Sequence, residues 1–197
     1  MSQPLINRLR PRRMGLAIGI LVTVLSVLTM SSLAFGVLLN QFDDKTALPC
    51  DQVPGTPEPF EGNNHIAYQG ASHAPYKTKP PTSGPHSPRV VIPGIYREPI
   101  PEELQVHILE HGHVLIQYAA DVAPADVEKI ERIGRQYPRD AVIAPYPTLD
   151  HGIAATGWQR LQRFDSYDED GITNFVTKVA NRYNHGWRNK ATDCVSR

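Results

Sequence analysis

An uncharged run of 26 residues, Met14 to Leu39, limits what this chain can become more than any other feature of it. As a helix rising about 1.5 Å per residue it would extend ~39 Å, enough to cross a bilayer core of roughly 30 Å with some tilt. Arg8, Arg10, Arg12 and Arg13 precede it without an acid, whereas Asp43 and Asp44 follow it. The positive-inside rule then expects residues 1–13 as a cytoplasmic basic tail, 14–39 as a single-pass signal-anchor helix in the cell membrane, and the rest as extracytoplasmic. A cleaved signal peptide is the rival reading, with Ser32-Leu33-Ala34 as the cleavage site. The run is much longer than the usual apolar core of about 7 to 15 residues, which favours the anchor.

The formal net charge is zero, from 20 basic and 20 acidic residues. Four of the basic residues stand before the apolar run and every acid stands after it, so the exported part carries −4. No basic stripe marks a nucleic-acid surface, and nucleic acid is not an expected partner. Roughly 155 residues remain outside, one ordinary domain with chain enough for a core. Both cysteines, Cys50 and Cys194, lie in this part. An oxidising compartment makes them expected disulfide partners, and closing so long a loop contributes up to ~5 kcal/mol in the chain-entropy model. Their wide separation is unlike a C-x-x-C redox site.

Leu48 to Pro101 is dense in Pro, Gly, Ser, Thr and Asn. Prolines exclude long helices there. Residues 40–62 read as a linker, and the exported domain as 63–197. Within the latter, Tyr68, Tyr76, Val90, Val91, Ile92 and Tyr96 interrupt the prolines, the mark of an ordered loop laid over a core. Regular patterns begin after Pro101. Glu102 to His111 reads as a helix, with acids in its first turn and Gly112 past its end. Val114 to Tyr118 reads as a buried strand, and Pro124 opens a helix to about Tyr137. Ala141 to Ala144 and Ile153 to Trp158 read as short strands, and Ile172 to Tyr183 as a last helix. The order α-β-α-β-β-α, behind a long Pro-rich N-terminal loop, predicts one α+β domain.

Three histidines and a glutamate fall within seven residues, His107-Ile108-Leu109-Glu110-His111-Gly112-His113. On a helix, His107 and His111 stand one turn apart on one face and can share a metal ion. H-x-x-E-H is also the inverted zinc-hydrolase signature, in which Glu110 would be the general base. Such an enzyme needs a third protein ligand, and no downstream glutamate stands out. The alternative is structural, because histidines at a helix C-terminus complement its dipole. His113 turns to another side if a strand begins there.

His65, His73 and His86 lie in the Pro-rich loop. His86 closes the stiff segment Pro80-Pro81-Thr82-Ser83-Gly84-Pro85-His86, which makes it the expected third ligand beside His107 and His111. His65, Glu110 and His113 are additional candidates. Imidazole suits copper and zinc alike, and Met1, Met14 and Met30 cannot supply a thioether outside the membrane. His151 and His185 read as exposed turn residues. Ser83 lacks the nucleophile-elbow pattern of a serine hydrolase.

The segments Pro80-Pro81-Thr82-Ser83-Gly84-Pro85-His86, Gly94-Ile95-Tyr96 and Val106 to Val114, in this order, resemble the bacterial family known as domain of unknown function 3105. Its members share P-P-x-S/G-G-P-H, G-x-Y and V-H-x-L-E-H-G. The resemblance runs from about His65 to Cys194. It implies a membrane-anchored or secreted protein with one α+β ectodomain and carries no activity. Its motif positions here are His86, His107, Glu110, His111 and Gly112, with Ala155-Thr156-Gly157-Trp158 similar to the family's A-W-G. Relatives often place a cysteine before the G-x-Y, where this chain has Pro93, so pairing of Cys194 with Cys50 is not inherited from them. Three functions follow as expectations: an accessory domain binding a transition metal, copper or zinc; a metal-free interaction subunit of an envelope or membrane complex; and a zinc hydrolase using Glu110.

Overall fold

Three helix starts are set by local chemistry. Pro101, whose ring fixes φ and whose missing N–H needs no partner there, stands before α1 (Glu102–Glu110), and Glu102 and Glu103 in the first turn complement its dipole. Pro124 occupies the first turn of α2 (Pro124–Gln136). The Asp168 carboxylate accepts from Gly171 N at 2.9 Å and caps α3 (Glu169–Val179). The computed structural model describes residues 48–188.

Among the described residues five strands form one sheet: β1 (Thr56–Pro57), β2 (Val114–Tyr118), β3 (Ala141–Pro145), β4 (Ile153–Gly157) and β5 (Arg160–Phe164). Their order across it is β1-β5-β4-β2-β3. Only β2 and β3 run parallel, joined by the α2 crossover, and the other pairs are antiparallel. Both faces of the sheet are covered, so β2 and β3 are buried without alternation and are apolar except for Gln117 and Tyr118 in β2. Val114, Ile116 and Ile143 meet Ile130 and Ile133 of α2 and Ile172, Phe175 and Val176 of α3 on one face. On the opposite face Leu115, Val142 and Ala144 meet Leu104, Ile108 and Leu109 of α1, with Trp158 and Tyr183. Among the described residues the helix bearing the histidines is thus the one helix on its side of the sheet, flanked by irregular chain.

The α+β class and the expected elements are present, with corrections at the C-terminal end. Arg160–Phe164 is an additional strand, paired with β4 across the Trp158-Gln159 turn, so the strand expected to reach Trp158 stops at Gly157. The last helix begins before Ile172 and ends at Val179, where Ala180 turns extended at ψ 138 and Asn181 follows at φ 63. Tyr183 crosses to the α1 side and stacks on Trp158 with ring centroids 4.4 Å apart. From Cys50 onward the stretch expected as linker joins the fold: Cys50–Gln52 is a 3-10 turn, Val53 is buried, and Thr56–Pro57 forms the edge strand.

Among the described residues no helix is long and apolar enough to cross a membrane. The expected anchor at 14–39 lies outside them, as does Cys194, the expected partner of Cys50. No described cysteine is free.

Candidate metal centre

Helix α1 ends where the site begins. Gly112 takes φ +89, open to glycine but strained for other residues, and turns the chain into β2. A Cβ there would lie 2.7 Å from the Tyr183 carbonyl oxygen. Gly112→Ala is therefore expected to destabilise the domain by about 1–3 kcal/mol, read as a lowered urea midpoint. An unchanged midpoint would show that residues 181–185 are not held against α1.

One turn back on α1, His107 and Glu110 face the same way. The Glu110 Oε2 atom lies 3.5 Å from His107 Nδ1, 2.9 Å from His86 Nε2 and 3.6 Å from His65 Nε2. All four donor atoms lie within 4.8 Å of one another. A tetrahedral ion with bonds of about 2.0–2.1 Å spaces its ligand atoms roughly 3.3–3.4 Å apart, in the middle of the three distances to Oε2.

The Pro-rich loop delivers two of these donors. Residues 62–66 run alongside residues 84–86, with Gly84 N donating to Gly62 O, His86 N to Asn64 O and Ile66 N to His86 O at 2.8–3.0 Å. His65 and His86 are consequently bridge partners, with ring centroids 4.9 Å apart. Ser83 fixes the pairing further, its hydroxyl accepting from Glu61 N and donating to Pro59 O. Thr82 O accepts from Gln159 N in the β4–β5 turn, and Ser87 N donates to Glu103 O in α1. The stiff segment is thus buried between the loop, the turn and the helix.

Each polar group has a distinct state. His86 Nδ1 donates to the Gly84 carbonyl at 2.8 Å, which directs Nε2 to Glu110. His107 is 4% exposed, and neither of its ring nitrogens has a hydrogen-bond partner. Burial, reinforced by His111 and His86, pushes its imidazole down to about 4. Burial alone would raise the Glu110 carboxyl, but the His86 hydrogen bond and the charges of His86, His185 and His65 hold it below the ordinary range. Burial also lowers His111 and His113.

Between its ordinary 6.5 and about 4, the His107 imidazole is protonated in the unfolded chain and neutral in the native one. Stability of the metal-free domain is therefore full above the unfolded value and falls as pH drops toward 4, by about 3 kcal/mol from this group. Urea unfolding with chelator present should show a lower midpoint at pH 5 than at pH 7.5; equal midpoints would contradict the buried neutral imidazole.

The expected trio of His86, His107 and His111 divides. His86 and His107 meet with His65 and Glu110, whereas His111 groups with Glu110 and His185. His111 still stands one turn from His107, its N donating to His107 O and the ring centroids 4.5 Å apart, but its ring also meets His185, with centroids 4.4 Å apart. His113 lies elsewhere, its Nδ1 at 2.9 Å from Arg139 O. His73 faces Glu103 and His151 faces Asp165. His185 is the member that sequence reasoning passed over as an exposed turn residue. Its side chain is indeed exposed, yet Nδ1 stands 3.6 Å from Glu110 Oε1. Glu110 sits among the nitrogen donors and not beyond them, unlike the free base of an inverted zinc hydrolase.

The class defined by this geometry is an α+β domain with a buried His/Glu cluster that could hold a metal ion. The chain belongs to the family described as protein of unknown function (DUF3105), whose profile matches residues 68–194. That span includes every histidine and glutamate of the two groups except His65. No curated protein and no solved structure matches the chain.

Proposed function

We propose that this chain is a membrane-anchored extracytoplasmic accessory domain that holds a transition-metal ion on His65, His86, His107 and Glu110. One observation carries the reading: His107 is buried with both ring nitrogens unpartnered, 3.5 Å from an ionised carboxylate that two further imidazoles face. Burying such a group without compensation costs about 1–3 kcal/mol, and an ion supplies the missing partner. With its Nδ1–H given to Gly84, His86 offers its Nε2 lone pair to the same ion. Three imidazoles and one carboxylate suit zinc or copper. His65, about half exposed, leaves a route by which the ion enters.

Elemental analysis of the full chain, purified without chelator or histidine tag, tests the reading. Zinc or copper should be present at one equivalent or more, with His86→Ala/His107→Ala losing that equivalent; an unchanged content in the variant would overturn it. The anchor and the Cys50–Cys194 bridge belong to the same proposal. Alkaline extraction should leave the chain in the membrane fraction, and thiol alkylation without reductant should modify neither cysteine. Release by alkali or two modified thiols would remove those parts.

A metal-free interaction subunit is the second reading. Val90 and Ile92 are 71% and 75% exposed beside a groove that also contacts Tyr96, Ile100 and Leu104. Purification from detergent-solubilised membranes should then recover a stoichiometric partner, and a lone monomer would count against it.

A further inference from the structure

The two oxygens of a single carboxylate face two different histidine groups. Glu110 Oε2 is the atom approached by His65, His86 and His107, while Oε1 stands 3.6 Å from His185 Nδ1. His111 lies beside His185 on the second side, ring centroids 4.4 Å apart, and each of Glu110, His111 and His185 offers a donor atom within 4.8 Å of the other two. The groups adjoin, since the His107 and His111 ring centroids are 4.5 Å apart.

The backbone holding the second group is strained in a way that bears on it. Asn181 and His185 take φ 63 and 52, left-handed values that non-glycine residues adopt at a cost. Hydrogen bonds impose them: Asn181 N donates to Gly112 O at 2.7 Å and His185 N to Glu110 O at 2.9 Å. The chain leaving α3 is thereby wrapped around the end of α1, and this wrapping brings His185 to Glu110.

Resting on the metal reading above, we infer that the centre is dinuclear, with the Glu110 carboxylate bridging two first-row transition ions. One ion takes His65, His86, His107 and Oε2; the other takes His111, His185 and Oε1. The two positions differ in character. The first has four protein donors, three of them on buried residues, and is closed. The second has three donors, with His185 exposed, and keeps a coordination position open, as metals that bind exchangeable ligands do. Ions in two-metal centres stand about 3.5–4 Å apart. Two divalent ions against one carboxylate leave excess positive charge, so the open position suits a small anion such as hydroxide, a carboxylate or phosphate.

Titration of the untagged full chain with Cu2+, followed by electron paramagnetic resonance and elemental analysis, tests this. The first equivalent should give a mononuclear spectrum, and the second should broaden or quench it with a half-field transition. His111→Ala/His185→Ala should stop at one equivalent with the mononuclear spectrum intact and the first affinity changed less than threefold. Saturation of the unaltered chain at one equivalent would overturn the dinuclear centre and leave the single-ion site standing. Two equivalents with simply additive spectra, or coupled spectra in the double variant, would also overturn it. No binding at all would remove the single-ion reading as well.

Discussion

His107→Leu should leave the metal-free domain at least as stable as the unaltered one while abolishing its stabilisation by zinc. The imidazole is buried, neutral at pH 7 and without a hydrogen-bond partner on either nitrogen, so it is an unsatisfied polar group. Exchanging it for a hydrocarbon of similar size relieves about 1–3 kcal/mol of desolvation, offset by whatever packing mismatch leucine introduces. Zinc acts by mass action: at one hundred times its dissociation constant it stabilises by about 2.7 kcal/mol, roughly 5–10 °C for a domain of this size. Scanning calorimetry of the full chain should show that rise with zinc, its reversal by chelator, and neither in the variant. If the histidines were only structural, the variant would melt several degrees lower and zinc would act on both chains alike.

Glu110→Ala should have the opposite effect on the metal-free domain. The carboxylate accepts from His86 Nε2 and is approached by three further imidazoles, so its removal strands His86 with a buried, unpaired nitrogen. Leaving a buried hydrogen-bonding group without its partner costs about 1–3 kcal/mol, a sizeable part of the roughly 5–15 kcal/mol that holds a domain together. Glu110→Gln keeps the shape without the charge; it should recover much of the stability and little of the metal affinity. Both positions are thus needed for metal, yet His107→Leu and Glu110→Ala move the apo midpoint in opposite directions. Equal losses of apo stability would mean that both residues serve packing alone.

The elements legible in the sequence were those whose signals are local. Acids at Glu102 and Glu103 and the glycine at Gly112 bounded α1, Pro124 opened α2, and the apolar runs of β2 and β3 marked strands buried on both faces. Strand β5 escaped because Arg160 occupies a buried position, its guanidinium donating to the Gly55 carbonyl, so the alternation of a half-buried strand is broken. The helical stripe from Ile172 continues as far as Tyr183 on paper, but Ala180 and Asn181 leave the helix so that the chain can reach Gly112.

The site divides the same way. His107, Glu110 and His86 could be found from one helical turn and one stiff loop, and they do meet. His111 stands one turn from His107, as the helical spacing expects, but its donor atom falls in the group that His185 completes. His185 itself depends on the return of residues 181–185 across the end of α1, a contact between segments some 75 positions apart that no local pattern encodes.

X-ray absorption at the zinc edge, on the untagged full chain loaded with one equivalent, bears most directly on whether these side chains hold an ion. Three imidazoles and one carboxylate oxygen at about 2.0–2.1 Å are expected, with the imidazole scattering reduced by a third in His65→Ala and the bound zinc lost in His86→Ala/His107→Ala. A zinc environment that stays the same in those variants would place the ion elsewhere and contradict the assignment.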